Sequence, residues 1–311
     1  MSTTKVSSSS RLVSIGETLL KKIKVAILGS GNIGTDLLIK VLRSPFITCS
    51  LFIGRNLSSR GMSKAINLGI PVSDRSIDAI LNNPDCCDLV FDATSALSHQ
   101  YHAKVLGDLN KIVIDLTPAK LGHLCIPAIN LEECLNYKNV NMVTCGGQAS
   151  IPLAYVIGQT HEHVEYIEVV STIASKSAGP ATRLNMDEYV ETTEKGIMLY
   201  SNCKKTKAIL NLNPAEPCID MQTTVYAKVQ KPDLVALKNN INDMLKKIQK
   251  YVPSYNIVIP PTYENDRIIM SVKVKGLGDY LPSYAGNLDI INCAAISVAE
   301  EFAKSNPKSL K

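Results

Sequence analysis

The segment that most restricts this chain runs from Lys24 to Arg43. Lys24-Val25-Ala26-Ile27-Leu28 is an apolar run of strand length that ends at glycine. Gly29-Ser30-Gly31-Asn32-Ile33-Gly34 follows, and Leu37, Leu38, Val41 and Leu42 then recur at helical spacing until Ser44-Pro45. A strand, then G-x-G-x-x-G, then a helix is the order of a dinucleotide-binding turn. In that reading Gly29 allows the tight turn, Gly31 lets backbone approach a pyrophosphate, and Gly34 lets helix and strand pack closely. The helix N-terminus adds a favourable field for phosphate. Ser30, Asn32 and Ile33 lie in the same turn and join the candidate cofactor-binding set.

The pattern continues. Ser50–Gly54, Asp88–Asp92, Lys111–Asp115 and Asn141–Thr144 read as strands, with helices over Ser63–Leu68 and Ser98–Leu109. Strands alternating with helices predict a doubly wound parallel, Rossmann-type sheet. After Cys145 the character changes. His163–Ser175, Val225–Val229 and Ile268–Val274 read as strands, and Pro232–Tyr251 as an amphipathic helix with Leu234, Leu237, Ile241, Leu245 and Ile248 on one face. These predict a second α+β domain with a mostly antiparallel sheet. The apolar helix Leu288–Lys304 suits a return to the first domain. The expected organisation is an extension over 1–22, a dinucleotide-binding domain over 23–145 plus 285–311, and a catalytic and dimerisation domain over 146–284. A sheet-rich second domain of this kind also predicts a homodimer.

Composition narrows the function classes. Lys and Arg number 33 against 28 Asp and Glu, a net charge of +5, with no basic stripe interleaved with aromatics. The expectation is no nucleic-acid partner. No apolar run reaches membrane-spanning length, so no membrane role is expected. The nine cysteines are odd in number and lack a C-x-x-C pair. They predict reduced thiols and a cytoplasmic location. The Ser-rich, slightly basic start keeps a mitochondrial transit peptide as the alternative.

Cys145 is the candidate nucleophile. It follows a strand, precedes Gly146-Gly147 and an expected helix over Ala149–Thr160, and shares the chain with a nicotinamide-type fold. A thiol near a helix start gains thiolate character, and two glycines leave N–H groups to face an oxyanion. Such a thiol can add to an aldehyde, give up hydride to the cofactor and remain as a thioester. The end of the second strand reads Gly54-Arg55-Asn56, where an NAD-specific fold normally places an acid. Arg55 therefore reads either as a 2′-phosphate partner, making NADP a possible cofactor beside NAD, or as a solvated loop residue. His161-Glu162-His163 has alternate-residue spacing, but a loop role outweighs a metal role, and no metal is expected.

These segments together resemble a known family. Over about Lys24 to Lys304 the chain is similar to the acylating (acetylating) acetaldehyde dehydrogenases, the type that partners 4-hydroxy-2-oxovalerate aldolase in the catabolism of aromatic compounds. The resemblance rests on residues 29–37, Asp-Ala-Thr-Ser-Ala (92–96), Ile-Asp-Leu-Thr-Pro-Ala-Lys (114–120), Pro-Ala-Ile-Asn-Leu (127–131) and Met-Val-Thr-Cys-Gly-Gly-Gln-Ala (142–149). It extends through Ser-Lys-Ser-Ala-Gly-Pro (175–180), Leu-Asn-Pro-Ala-Glu-Pro (212–217) and Leu-Pro-Ser-Tyr-Ala-Gly-Asn-Leu-Asp-Ile (281–290). It implies that Cys145 forms the acyl-thioester and that Ser30 to Ile33, Ser177, Ala178, Gly179, Pro180 and Asn287 hold the cofactor. It implies acetaldehyde or another small aldehyde as substrate, coenzyme A as co-substrate, and the aldolase as partner. The family carries an Arg-Asp pair after the Asn-Pro-Ala-Glu-Pro motif, its Asp assisting the thiol. This chain instead reads Met221-Gln222-Thr223-Thr224, with Asp220 the nearest acid. Two rival readings remain. One is a phosphate-dependent semialdehyde or acyl-phosphate reductase, with Arg183 and Arg267 as anion-site candidates. The other is a catalytically weakened nucleotide-binding partner protein.

Overall fold

The computed structural model describes residues 22–305. The expected N-terminal extension therefore lies, apart from Lys22, outside the described residues. In chain order the elements are β1 (Ile23–Leu28), α1 (Asn32–Arg43), β2 (Ile47–Ile53), α2 (Arg60–Asn67), β3 (Val72–Ser73), α3 (Asp78–Leu81), β4 (Leu89–Asp92), α4 (Ala96–Asp108), β5 (Ile112–Asp115), β6 (His123–Leu124), α5 (Pro127–Cys134) and β7 (Asn139–Asn141). Then come α6 (Cys145–Thr160), β8 (Val164–Ala174), α7 (Pro180–Leu184), α8 (Met186–Ser201), β9 (Thr206–Asn213), β10 (Met221–Val229), α9 (Leu234–Gln249), β11 (Tyr255–Glu264), β12 (Arg267–Val274) and α10 (Gly286–Ser305).

The first seven strands form one sheet in the order β3-β2-β1-β4-β5-β7-β6, and all its pairs are parallel. The order turns outward on both sides of β1 and β4, as a doubly wound sheet does, and leaves a crevice at the C-terminal ends of those strands. Val25, Ile27, Leu89, Phe91 and Ile114 are buried, which is why these strands read as continuous apolar runs. The remaining five strands form a second sheet, β11-β12-β10-β8-β9. Three of its pairs are antiparallel and β8–β9 is parallel. The parallel pair needs a crossover, and α8 supplies it. Neither α8 nor β9 is legible in the sequence. The stretch Met186-Asp187-Glu188-Tyr189-Val190-Glu191-Thr192-Thr193 carries no apolar stripe, because it buries threonines and a tyrosine as well as apolar residues.

The last helix packs back on the first sheet. Ile291, Ala294, Ala295, Val298, Ala299 and Phe302 of α10 join the core that contains Leu37, Leu38 and Phe91. A charged cluster clamps the same contact. The Lys40 ammonium on α1 lies 3.0 Å from Asp36, 2.8 Å from Asp279 and 2.7 Å from Asp289 of α10, and Arg43 also pairs with Asp279. Only 4% of the Lys40 side chain is exposed, so its charge depends on these carboxylates. Burial by itself would lower the Lys40 pKa, but the surrounding anions outweigh it and raise the group well above the ordinary lysine range. This contribution to stability is therefore kept through neutral pH and is lost only at strongly alkaline pH. Removing the cation leaves buried carboxylates unpaired. Lys40→Met should cost about 3 kcal/mol or more of unfolding free energy in denaturant titrations. A loss below about 1 kcal/mol would show that the pairs are solvated.

Candidate active site

β7 stops at Asn141, and the chain then turns within three residues. Val143 has φ +60°, a left-handed conformation that a β-branched residue rarely adopts. Its N–H donates to Asn141 Oδ1 at 2.8 Å. Thr144 returns to extended backbone, and its Oγ1 accepts the Gly147 N–H at 2.8 Å, capping α6. The strand expected over 141–144 lies instead over Asn139–Asn141, and the helix expected from Ala149 begins four residues earlier. Pro152 falls inside the helix and not in its first turn. Thr144 is of a strand-forming type, but here its hydroxyl is the cap.

Cys145 is thus the first residue of α6. It packs against both hydrophobic cores and is only partly buried. With Ile33, Thr94, Thr117, Tyr189 and Asn287 it lines a cavity of about 80 Å³ at the crevice. Its thiol donates to Tyr189 Oη at 3.8 Å. The Tyr189 hydroxyl also meets the Gly146 N–H and Ser171, whose Oγ is 2.9 Å from Thr223 Oγ1. A Cβ on Gly146 would lie 2.0 Å from Tyr189 Oη. A side chain at 146 would therefore displace the Tyr189 hydroxyl. This corrects the expectation that both glycine N–H groups face an oxyanion: Gly147 is spent on the cap, and the Gly146 N–H alone faces the thiol and the Tyr189 hydroxyl. Tyr189 escapes a sequence reading because the helix that carries it does.

Burial pushes the Cys145 thiol up to about 11. Hydrogen bonds with Tyr189 and the Gly146 N–H pull it back only part of the way. Burial thus favours the protonated thiol at neutral pH, against the thiolate character that the helix start favours. Asp220 does not take the place of an activating acid. It lies 3.6 Å from Lys273 and shares a groove with Gln222, Thr224 and Tyr226, on the face of β10 opposite Thr223.

The turn after β1 is built for close approach. Gly29 has φ +117°, and a Cβ there would meet the Ala93 carbonyl oxygen at 2.5 Å. A Cβ on Gly34 would sit 1.8 Å from the Gly29 oxygen. Where a Cβ on Gly31 would project there is no atom within 4 Å, and the first turn of α1 carries no acid. This open position at a helix N-terminus fits a dinucleotide pyrophosphate. Asn287 is buried, lines the cavity, and its Oδ1 has no hydrogen-bond partner, which fits the carboxamide of a nicotinamide. Among the expected cofactor residues, Ile33 and Asn287 reach the Cys145 cavity. Ser30, Asn32 and the exposed Arg55 surround the start of α1 and the end of β2, with Ser30 Oγ 3.3 Å from Ser59 Oγ. Ser177, Ala178, Gly179 and Pro180 form the turn from β8 into α7. Ser177 Oγ is spent on the Ala174 carbonyl at 2.8 Å, and Thr182 is the α7 residue that reaches the cavity.

The two arginines of the rival reading are occupied elsewhere. Arg183 donates to the Ala178 carbonyl at 3.1 Å and to Ser175 Oγ at 2.9 Å, and Arg267 lies 5.9 Å over the Tyr226 ring. Among the described residues, no arginine or histidine lines the Cys145 cavity. His161 joins α6 to the start of α9: Nδ1 donates to the Ile157 carbonyl at 2.9 Å, and Nε2 accepts the Asp233 N–H at 3.1 Å.

Residues 145–282 match the family model described as prokaryotic acetaldehyde dehydrogenase, dimerisation. Proteins named acetaldehyde dehydrogenase from Pectobacterium atrosepticum and Spirochaeta aurantia are 58% and 60% identical to the chain. The first alignment covers 91% of this chain and 96% of the relative, the second 92% and 96%. Two solved structures share the fold at 12% identity. Aspartate semialdehyde dehydrogenase II from Vibrio cholerae, complexed with ASA, has a TM-score of 0.64 over 92% of this chain and 99% of its own. Aspartate semialdehyde dehydrogenase from Candida albicans, with NADP, has 0.61 over 91% and 100%.

The protonated thiol has a measurable consequence. Alkylation of Cys145 by iodoacetamide, followed by peptide mass spectrometry, should accelerate roughly tenfold per pH unit between about pH 7 and 9. A rate already level in that range would mean that the thiolate is preformed. Tyr189→Phe should slow the reaction several-fold at a fixed pH by removing the hydroxyl beside the sulfur.

Proposed function

The chain belongs to the acetaldehyde dehydrogenase family, and we propose that it is an acylating enzyme that converts acetaldehyde and coenzyme A to acetyl-CoA through a thioester on Cys145. The observation that carries this reading is the thiol at the first position of α6, in a small cavity that also holds Ile33 and Asn287, whose buried Oδ1 has no hydrogen-bond partner. The Cys145 sulfur adds to the aldehyde carbon, the C=O π bond opens and the thiol proton passes to the carbonyl oxygen, giving a hemithioacetal; Tyr189 Oη, 3.8 Å away, donates to the sulfur while it carries negative charge. A bound NAD or NADP supplies the hydride acceptor that turns the resulting adduct into the thioester. Apolar walls from Leu116, Val143, Leu288 and Ile291 limit access of water to that thioester. The coenzyme A thiol then attacks its carbonyl carbon and releases Cys145.

Asn287 would hold the nicotinamide end and the turn from Gly29 to Gly34 the pyrophosphate. The end of β2 offers Arg55 and no acid, which supports use of NADP as well as NAD. The match of residues 145–282 to a dimerisation segment supports a homodimer, and β11 exposes Val258, Ile259 and Tyr263 as apolar surface. Resemblance to the aldolase-partnered type is the support for an aldolase partner. No helix among the described residues is long and apolar enough to cross a membrane.

Reduced-nicotinamide absorbance with acetaldehyde should rise only when coenzyme A is present, with phosphate unable to replace it, and Cys145→Ala should lose nearly all turnover while binding cofactor normally. Turnover with phosphate would favour the acyl-phosphate reductase reading. Nucleotide binding without turnover would favour a weakened partner. Arg55→Asp should shift the ratio of kcat/KM values toward NAD by roughly tenfold, and an unchanged ratio would make Arg55 a solvated loop residue.

A further inference from the structure

Beneath the cavity, at the C-terminal ends of β4, β5 and β7, lies a cluster of buried titratable groups that no catalytic step uses. His99 of α4 is fully buried. Its Nδ1 is 2.8 Å from Asp92 Oδ2, and its Nε2 is 3.3 Å from Asp115 Oδ2. A neutral imidazole has one N–H donor and one lone-pair acceptor. Here Nδ1 is hydrogen-bonded to Asp92 and Nε2 lies within ion-pair distance of Asp115, an arrangement that favours the doubly protonated ring. Asn139 agrees with this. Its amide lies 3.3 Å from His99 Nε2 and its buried Oδ1 has no partner, so turning the amide over would give that oxygen the Nε2–H. The same Asp92 oxygen also meets His102 Nδ1 at 2.8 Å.

The two carboxylates extend the cluster to the cavity wall. Asp92 Oδ1 accepts the Thr94 N–H at 3.1 Å and the Thr94 hydroxyl at 2.5 Å. Asp115 Oδ1 accepts the Thr117 N–H at 2.8 Å, and Oδ2 accepts from Asn141 Nδ2 at 2.7 Å. Asn141 Oδ1 in turn accepts the Val143 N–H at 2.8 Å. Thr94, Thr117 and Val143 all line the Cys145 cavity. Three loops therefore end on one buried chain, Asp92–His99–Asp115–Asn141. Burial would raise Asp92, but hydrogen bonds from His102 and His99 hold it at about 2. Burial pushes Asp115 up to about 7, even with the His99 charge opposing it.

We propose that His99, as a buried imidazolium between Asp92 and Asp115, is a positioning residue for Cys145: it holds the carboxylates that pin the cavity loops and, through Asn141, keeps Val143 left-handed. A left-handed β-branched residue needs surroundings that over-determine it. The Asn141 side chain is the tether that does so here, and Cys145 begins its helix two residues after Val143. This inference rests on Cys145 being the acylated thiol.

Two measurements on the full chain test it. In the first, Asn141→Ala is made in the native chain and in Val143→Gly, and kcat is compared. Glycine takes the left-handed conformation freely and has no need of the tether. Asn141→Ala should lower kcat roughly tenfold or more in the native chain and less than about threefold beside Val143→Gly. A general loss of stability would give the same factor in both backgrounds, and that result overturns the proposal. In the second, 15N-histidine NMR near about pH 8 should find both ring nitrogens of His99 protonated, with the signals assigned by their absence in His99→Gln. A singly protonated ring overturns the proposal whether or not Val143→Gly folds. The NMR measurement needs no turnover, so it separates failure of this network from failure of the thioester reading.

Discussion

Both halves of the molecule depend on one chain reversal. Between Asn141 and Cys145 a strand of the parallel sheet must end, turn, and start a helix with its N–H groups satisfied. The turn is made by an unfavourable backbone conformation at Val143, offset by side-chain hydrogen bonds from Asn141 before it and Thr144 after it. From that point α6 runs between the other helices, packing on α8, α9 and α10, and its residues Ile151, Leu153 and Ile157 enter the core of the second sheet. Had the helix begun at Ala149, Cys145 would stand on a loop at the seam. Begun at Cys145, the helix fixes the sulfur against both cores.

Buried charge is handled in the same way in two places. The Lys40 ammonium lies between carboxylates where α1 meets α10, and the His99 ring lies between carboxylates beneath the cavity. Lys40 is joined by carboxylates from the far end of the chain and His99 by those at the ends of two neighbouring strands, and in each case the buried charge requires its partners because it cannot be solvated. The first cluster fixes α10, whose start delivers Asn287 to the cavity. The second fixes the loops that form the cavity floor. Hydrogen-bonded charge and apolar packing thus both hold the cavity wall. The apolar cores on either side tolerate small shifts better than a directional bond does.

The fold was largely legible. The parallel sheet, the long antiparallel pairs of the second sheet and the returning last helix all follow from hydrophobic period and turn residues, because burial on two faces or one leaves a direct mark on composition. The crossover helix α8 left no such mark, and with it Tyr189 and the parallel strand β9 were lost. Cys145 and the glycine turn could be picked out as candidates by type and setting, and Asn287 through the family resemblance. The roles of Gly146, Asp220 and Arg183 could not, because each depends on what lies across a gap between elements remote in sequence. Gly146 is small because a tyrosine hydroxyl from α8 needs the space. Asp220, just before β10, continues the face opposite Thr223. Arg183 is consumed by the turn it closes.

The sequence by itself determined the nucleotide turn, the alternation of layers and the identity of the candidate thiol, since these rest on local backbone permission and on periodicity along the chain. Only the tertiary structure decided the protonation of Cys145, the hydroxyl beside it and the buried cluster beneath it. Those properties arise from desolvation and from hydrogen bonds between groups far apart in the chain, and neither has a period that a sequence can display.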